Sequence, residues 1–323
     1  MAFEPHPWFI GLEGVEHSAE VARMLAWAAT NGASGIITPN DLKVVAQSVP
    51  SDSVVIRPGG FVVESKFAGA SQQSYVERAP TSTTLEVPAT GSSGGATRYV
   101  VARITDPDYP GGGTIPPVPN DGSYAAPYLV SSLSSSRTEI PLAKIVQPAN
   151  TAAITNAMIT DLREVANPRT KPELRTYALL AEDTEKLSTV GADSNTGETW
   201  PRQADTVQTP IDIPTWATRA RIVQSWAGVT SPATVAQGRL WVQIGGDGNP
   251  NNVKTQTVKY RTSSQSTRDY MMVADMVWIP PELRGTSQKF IPRGNRESSS
   301  SGQLTVDGAS VIVTQIEFLE RAN

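Results

Sequence analysis

Ser53-Val-Val-Ile-Arg-Pro-Gly-Gly-Phe-Val-Val-Glu-Ser-Lys66 decides how the fold is read. Two apolar, β-branched runs flank Pro58-Gly59-Gly60. Proline presets φ at the first central turn position, and Gly59 supplies the positive φ that a type II turn needs next. The stretch therefore reads as a β-hairpin. Residues 73–78, 83–87, 98–105 and 139–146 add β-type runs, separated by loops at 91–95 and 106–126. The second loop holds Gly111-Gly-Gly113 and Ile115-Pro-Pro-Val-Pro119. Short strands with turn signals between them point to a sandwich or barrel.

Two helices bracket this β region in the sequence reading. Residues 17–32 carry a cap at Ser18, an acid at Glu20, and Asn31-Gly32 as a stop. Val21, Leu25 and Ala28 form one apolar stripe, broadened by Met24 and Trp27. Over 151–166, Ile154, Met158, Leu162 and Val165 share a helical face, and Asn167-Pro168 ends the run. Residues 167–200 read as a linker, with 174–181 open between a helical turn and a strand. Beyond Trp200-Pro201 the chain is openly β: strands are expected at 220–226, 237–244, 252–262, 270–279, 303–306 and 309–319. That is the scale of one β-sandwich, jelly-roll-like in size. The expectation is a mainly β protein with two sandwich- or barrel-like modules, 1–166 and 201–323, the first carrying both helices.

Composition agrees. In 323 residues, 39% are hydrophobic, only 18% are charged, and there are 25 Gly and 25 Pro. So many helix breakers exclude a coiled coil or helical bundle, and the apolar share excludes a disordered tail. The net charge of -4 conceals a contrast: residues 1–200 hold 14 basic against 21 acidic side chains, and residues 201–323 hold 13 against 10. No nucleic-acid footprint is expected. With no cysteine there is no disulfide, thiolate metal site or thiol nucleophile. The opening Met1-Ala-Phe-Glu-Pro-His-Pro-Trp-Phe9 lacks the basic region of a secretory leader, and no run approaches a membrane span.

Chemistry is sparse. His6 and His17 are the only histidines, and neither has metal or triad spacing around it. Asp247-Gly-Asn-Pro-Asn-Asn252 opens like a calcium loop, but Asn252 replaces the sixth-position glycine and Val258 the twelfth-position glutamate, so a tight turn is expected. Asp269, Asp275 and Glu282 are the acids a glycosidase would draw on, with Asp275 the most suggestive. Trp226, Trp241 and Trp278 lie in strands and are expected between sheets, whereas Trp216 is unassigned. Eight basic residues over 254–296 (Lys254, Lys259, Arg261, Arg268, Arg284, Lys289, Arg293 and Arg296) offer a surface for an anionic polymer. Trp216, Arg284, Lys289 and Arg293 are the candidate glycan contacts. No catalytic, cofactor or metal residue is expected.

Several segments together resemble minor tail proteins of long-tailed phages infecting actinobacteria. They are Pro5-His-Pro-Trp-Phe-Ile-Gly11, His17-Ser-Ala-Glu-Val-Ala-Arg23, Arg57-Pro-Gly-Gly-Phe61, Tyr99-Val-Val-Ala-Arg-Ile-Thr-Asp-Pro107, Ile140-Pro-Leu-Ala-Lys-Ile145, Ile159-Thr-Asp-Leu-Arg163, Glu198-Thr-Trp-Pro201 and Ile213-Pro-Thr-Trp-Ala-Thr-Arg219. The resemblance implies a virion part at the tail tip or baseplate, made in host cytoplasm. Its first module would attach to the tail and its second face outward. It implies a homotrimer that contacts other tail-tip proteins and host cell-wall glycan, with no membrane insertion and no catalytic motif. The alternatives are a dedicated carbohydrate-binding receptor module and, third, a cell-wall glycan hydrolase.

Overall fold

The computed structural model describes residues 18–112, 124–179, 183–204 and 209–322. His6, His17 and the proline-rich 115–119 stretch lie outside them. The protein is mainly β and divides into two compact units, Met1–Asn167 with the last two residues, and Pro168–Arg321.

Among the described residues the first unit has helix α1 (Ala19–Thr30) and ten strands: β1 Gly35–Ile36, β2 Val44–Ala46, β3 Ser53–Ile56, β4 Gly59–Glu64, β5 Ser74–Ala79, β6 Thr83–Glu86, β7 Ala96–Ile104, β8 Ala125–Val130, β9 Glu139–Gln147 and β10 Ile159–Asp161. They form three sheets, ordered β1-β4-β5, β2-β3-β6 and β10-β9-β7-β8, around a core that includes Ile36, Val54, Phe61, Val100, Leu142 and Ile145.

The expected hairpin at Pro58 does not form. β3 pairs with β2 and β6, while β4 pairs with β1 and β5, so the chain changes sheets at the proline. Phe61, Val62 and Val63 are all buried, and a strand buried on both faces needs cover on each. Leu42 N–H donates to the Pro58 carbonyl at 3.3 Å, and a Cβ on Gly59 would fall 2.5 Å from Asp41 Cα. Glycine serves here for close backbone approach at a corner rather than for a turn.

The expected second helix is also absent. Residues 151–166 give only a 3₁₀ turn, Asn156–Met158, followed by β10, which pairs with β9. Arg163 overrides the helical spacing. Its fully buried guanidinium forks onto Asp161 at 2.7 and 2.9 Å and donates to the carbonyls of Pro39 and Asp41. Asp161 also accepts Arg163 N–H, which closes a local turn instead of a helical one. Ile36 and Ala166 then exchange backbone bonds with this segment, with Ile36 N–H donating to Glu164 O and Ala166 N–H to Ile36 O.

Helix α1 forms where expected: Ser18 Oγ accepts Glu20 N–H, and Asn31 closes the helix at φ 51°. Its stripe is not core, however. No residue of the helix is buried, and Met24 and Leu25 are exposed. Polar contacts hold it. Arg23 donates to Gln73 Oε1 (2.6 Å) and Tyr109 Oη (2.8 Å) and lies over the rings of Tyr75 and Tyr109. Trp27 Nε1 donates to Glu64.

Among the described residues the second unit has thirteen strands: β11 Thr170–Ala178, β12 Thr184–Lys186, β13 Glu198–Thr199, β14 Ile211–Asp212, β15 Arg219–Ser231, β16 Gln237–Ile244, β17 Val253–Lys254, β18 Val258–Arg261, β19 Thr267–Trp278, β20 Ser287–Gln288, β21 Phe290–Arg296, β22 Thr305–Asp307 and β23 Val311–Leu319. The stretch 167–200, expected as a linker, is thus built into the sheets of this unit. It supplies β11, β12 and β13, and β11 pairs along all nine residues with β23. Its alternating charges at Lys171, Glu173 and Arg175 conceal a strand, because no apolar period marks it.

One sheet runs β11-β23-β15-β22-β12, with β19 also paired to β15; a second runs β13-β21-β16-β17, with β18 on β16; and β14 pairs with β20 apart from both. Between them Ile222, Ile316 and Phe318 from the first sheet meet Val242, Ile244 and Phe290 from the second. A neighbouring cluster holds Trp200, Trp226, Leu240, Val273 and Ile312. The Phe290 and Phe318 rings meet edge to face at 6.1 Å, and Trp200 stacks on Trp226 at 6.4 Å. Among the described residues no helix is long and apolar enough to cross a membrane.

Candidate functional site

Strand parity locates the most feature-rich surface of the second unit. Along β19, Val273 and Val277 are buried, so residues of even number point outward. Trp278, expected between the sheets, is one of these and is 45% exposed; Trp226 and Trp241 are buried as expected. The signal that finds Trp278 is this alternation, read from Val273 and Val277.

Beside Trp278 lies a shallow cleft of about 650 Å³, lined by Asn251, Asn252, Lys254, Gln256, Asp275 and Glu282 among others. The loop after β16 builds one wall. Asn249 Oδ1 accepts Asn251 N–H, and Asp247, far from ligating a cation, accepts from Gln243 and pairs with Arg293. Lys254 is held by the Ser194 carbonyl at 2.8 Å. Asp275 accepts Gln256 N–H on one oxygen and Met276 N–H on the other, both at 2.7 Å. Its carboxylate therefore latches the 256 loop to β19. Asp269, the third acid considered, accepts from Ser231 and Thr267 hydroxyls. An exposed indole with amides and carboxylates beside it can stack on a sugar ring and bond its hydroxyls.

The four candidate glycan contacts are placed elsewhere. Arg293 is buried and paired with Asp247. Arg284 spends Nε and Nη2 on the Ile279 carbonyl at 3.0 and 2.9 Å, and burial pulls its pKa down. Trp216 is half-buried under the Arg169 guanidinium, 5.3 Å from its centroid. Lys289 is exposed. The eight basic residues do not assemble into one surface either, because Arg268 pairs with Asp307 and Arg296 donates to the Ser188 carbonyl.

Arg169 has a second partner, which sequence reasoning missed. It forks onto the buried Glu320 at 2.6 and 2.8 Å, fastening the start of β11 to the end of β23. Burial pushes the Glu320 carboxyl up, but the hydrogen bonds from Arg169 outweigh it and hold the pKa below the ordinary 4.5. A lowered carboxyl pKa adds stability that is complete above the unfolded value and is lost as pH falls through the folded one. Glu320→Gln is therefore expected to cost about 2 kcal/mol at neutral pH and to flatten the loss of stability below pH 4.5. Denaturant titrations on both sides of that pH check it.

Comparison with protein-family models and with curated proteins gives no match. Among solved structures, the chain is similar to infectious bursal disease virus Gt strain, at 13% identity over 90% of this chain and 73% of that one, with a TM-score of 0.20. It is similar to the VP2 subviral particle of infectious bursal disease virus at 13% identity, over 93% and 82%, with a TM-score of 0.21. A carbohydrate-binding module from the β-sandwich superfamily overlaps at 10% identity, over 91% and 99%, with a TM-score of 0.20. Overlaps this loose carry no argument about what the chain does.

Proposed function

We propose that this chain is a structural minor tail protein of a phage virion, at the tail tip or baseplate, self-associated as a homotrimer and bound to other tail-tip proteins. One observation carries the reading: several of the segments that resemble actinobacteriophage tail proteins supply framework residues of the first unit. Arg57-Pro-Gly-Gly-Phe61 makes the corner between two sheets, Ile140–Ile145 lies within the central strand β9, and Ile159–Arg163 makes the buried Arg163 anchor. A likeness concentrated in framework residues fits a shared structural part better than a shared catalytic site. Asp275 fits the same reading, since both its oxygens are spent on backbone amides. The chain is not an enzyme on this account. Mass spectrometry of purified virions tests it: the chain is expected in tails at a stoichiometry of several copies, and its absence from virions overturns the proposal.

A second reading, recognition of cell-envelope glycan by the second unit, is favoured by the exposed Trp278 beside its polar cleft. Trp278→Ala is then expected to weaken binding to host wall polysaccharide about tenfold, on the order of 1.4 kcal/mol. Trp216→Ala, whose ring is covered by Arg169, leaves binding unchanged. Equal binding by wild type and the Trp278 variant in a pull-down on isolated wall contradicts this reading.

A further inference from the structure

The outward face of the β11-β23-β15-β19 sheet is largely apolar, although Arg219, Ser225, Gln315 and Thr176 also stand on it, where an exposed face is ordinarily polar. The five outward positions at the centre and far end of β19 are Tyr270, Met272, Ala274, Met276 and Trp278, none of them charged. The strand register continues the surface inward. Tyr270 stands opposite Ala227, which stands opposite Val311; Ala274 stands opposite Val223, which faces Gln315 on β23, with Leu174 of β11 beyond it. Tyr270 is 62% exposed and Leu174 59%, at the two edges of the face. A contiguous patch of this kind marks a surface that is covered in the working molecule.

The geometry points to another copy of this chain as the cover: copies associate through this face. Three observations select that occupant. The first is size. Four strands about 4.8 Å apart, over nine residues rising about 3.4 Å each, span roughly 19 by 30 Å, or about 1,100 Å² for two copies. That clears the roughly 1,000 Å² a specific interface needs. The second is charge. Arg221 and Glu317 lie side by side on the face and pair with each other at 3.0 Å, which leaves Arg219, opposite Trp278, as a single extra charge, too little to hold a polyanion. The third is shape. Sheet faces pack on one another about 10 Å apart and bury their side chains as a sandwich does. Interfaces between identical chains are also the most apolar class. Three such faces converging on an axis, as a homotrimer arranges them, remove these side chains from water. Trp278 stands at the end of this face, on the border with the cleft.

The inference deepens the tail-tip reading by naming the self-associating surface, and its test is separate, because it uses the purified full chain rather than virions. Sedimentation at tens of micromolar is expected to give a multiple of 34.5 kDa. Met272→Lys is expected to weaken association at least tenfold with an unchanged circular dichroism spectrum, and Val76→Lys, exposed in the first unit, to leave it intact. The wild-type chain has no cysteine, so Ala274→Cys gives a second assay that keeps the face apolar. A short bismaleimide is expected to link copies through Cys at 274 and not through Val49→Cys in the first unit. A monomer overturns the inference. So does an oligomer that survives Met272→Lys and does not cross-link at 274, or a face that binds only a different tail protein. Each of these can occur while the chain remains present in tails, so failure here is distinguishable from failure of the tail-tip reading.

Discussion

Trp226→Ala is expected to cost the second unit about 4 kcal/mol, within the range for removing a buried tryptophan. The indole has no exposure, stacks on Trp200 at 6.4 Å, and donates Nε1–H to the Trp200 carbonyl at 3.1 Å. The loss combines transfer of the ring to water, a cavity between two sheets and an orphaned buried carbonyl. For a unit of this size the melting transition of residues 168–321 should fall by roughly 8–16 °C. Trp226→Phe keeps most of the volume and loses only the hydrogen bond, so its penalty should be less than half as large. Calorimetry of the full chain reads both. A shift below about 1 kcal/mol for the alanine variant would mean that the two sheets do not close on this ring.

Arg163→Met is expected to be the most damaging substitution in the first unit, at about 3 kcal/mol. The methionine fills space but leaves the carbonyls of Pro39 and Asp41 without their donor and Asp161 without its cation. Arg163→Lys should recover only part of the loss, because an ammonium cannot make the two-pronged contact while also reaching both carbonyls. Equilibrium unfolding in urea separates the three proteins. Equal stability of Met and Arg at this position would contradict the account of why residues 159–163 are extended.

These two residues show what could be read in advance and what could not. Trp226 in a β-branched run, followed by evenly spaced strands, announces a buried aromatic in a sandwich, because burial and period 2 leave a mark in composition. Arg163 leaves no such mark. Ile154, Met158, Leu162 and Val165 do recur at helical spacing, and Ile154 and Val165 are indeed core, but they arrive there on extended chain. Tertiary demand for a buried guanidinium outweighs a modest local preference. Pro58-Gly59-Gly60 shows the same limit. Its residues permit a type II turn and equally permit a corner, and the choice rests on Asp41 and Leu42, seventeen residues or so upstream. β11 was legible only as one of two alternatives for 174–181, a helical turn or a strand, since its strand character comes from nine backbone pairings with β23 and not from an apolar period. For the site, the acids near Trp278 were legible as residue types and Asp275 was singled out. The outward direction of Trp278 needed the parity of Val273 and Val277. The basic candidates failed to gather because most basic side chains in this unit are spent on nearby carbonyls and carboxylates.

The central claim is that the chain is a self-associated structural part of the tail tip. A density map of the intact tail tip, at a resolution that shows strands, tests this most directly. The account predicts several copies at the tip, with Met1–Asn167 against the tail and the β11-β23-β15-β19 faces of neighbouring copies in contact. A tip that contains no copy of this fold would contradict it.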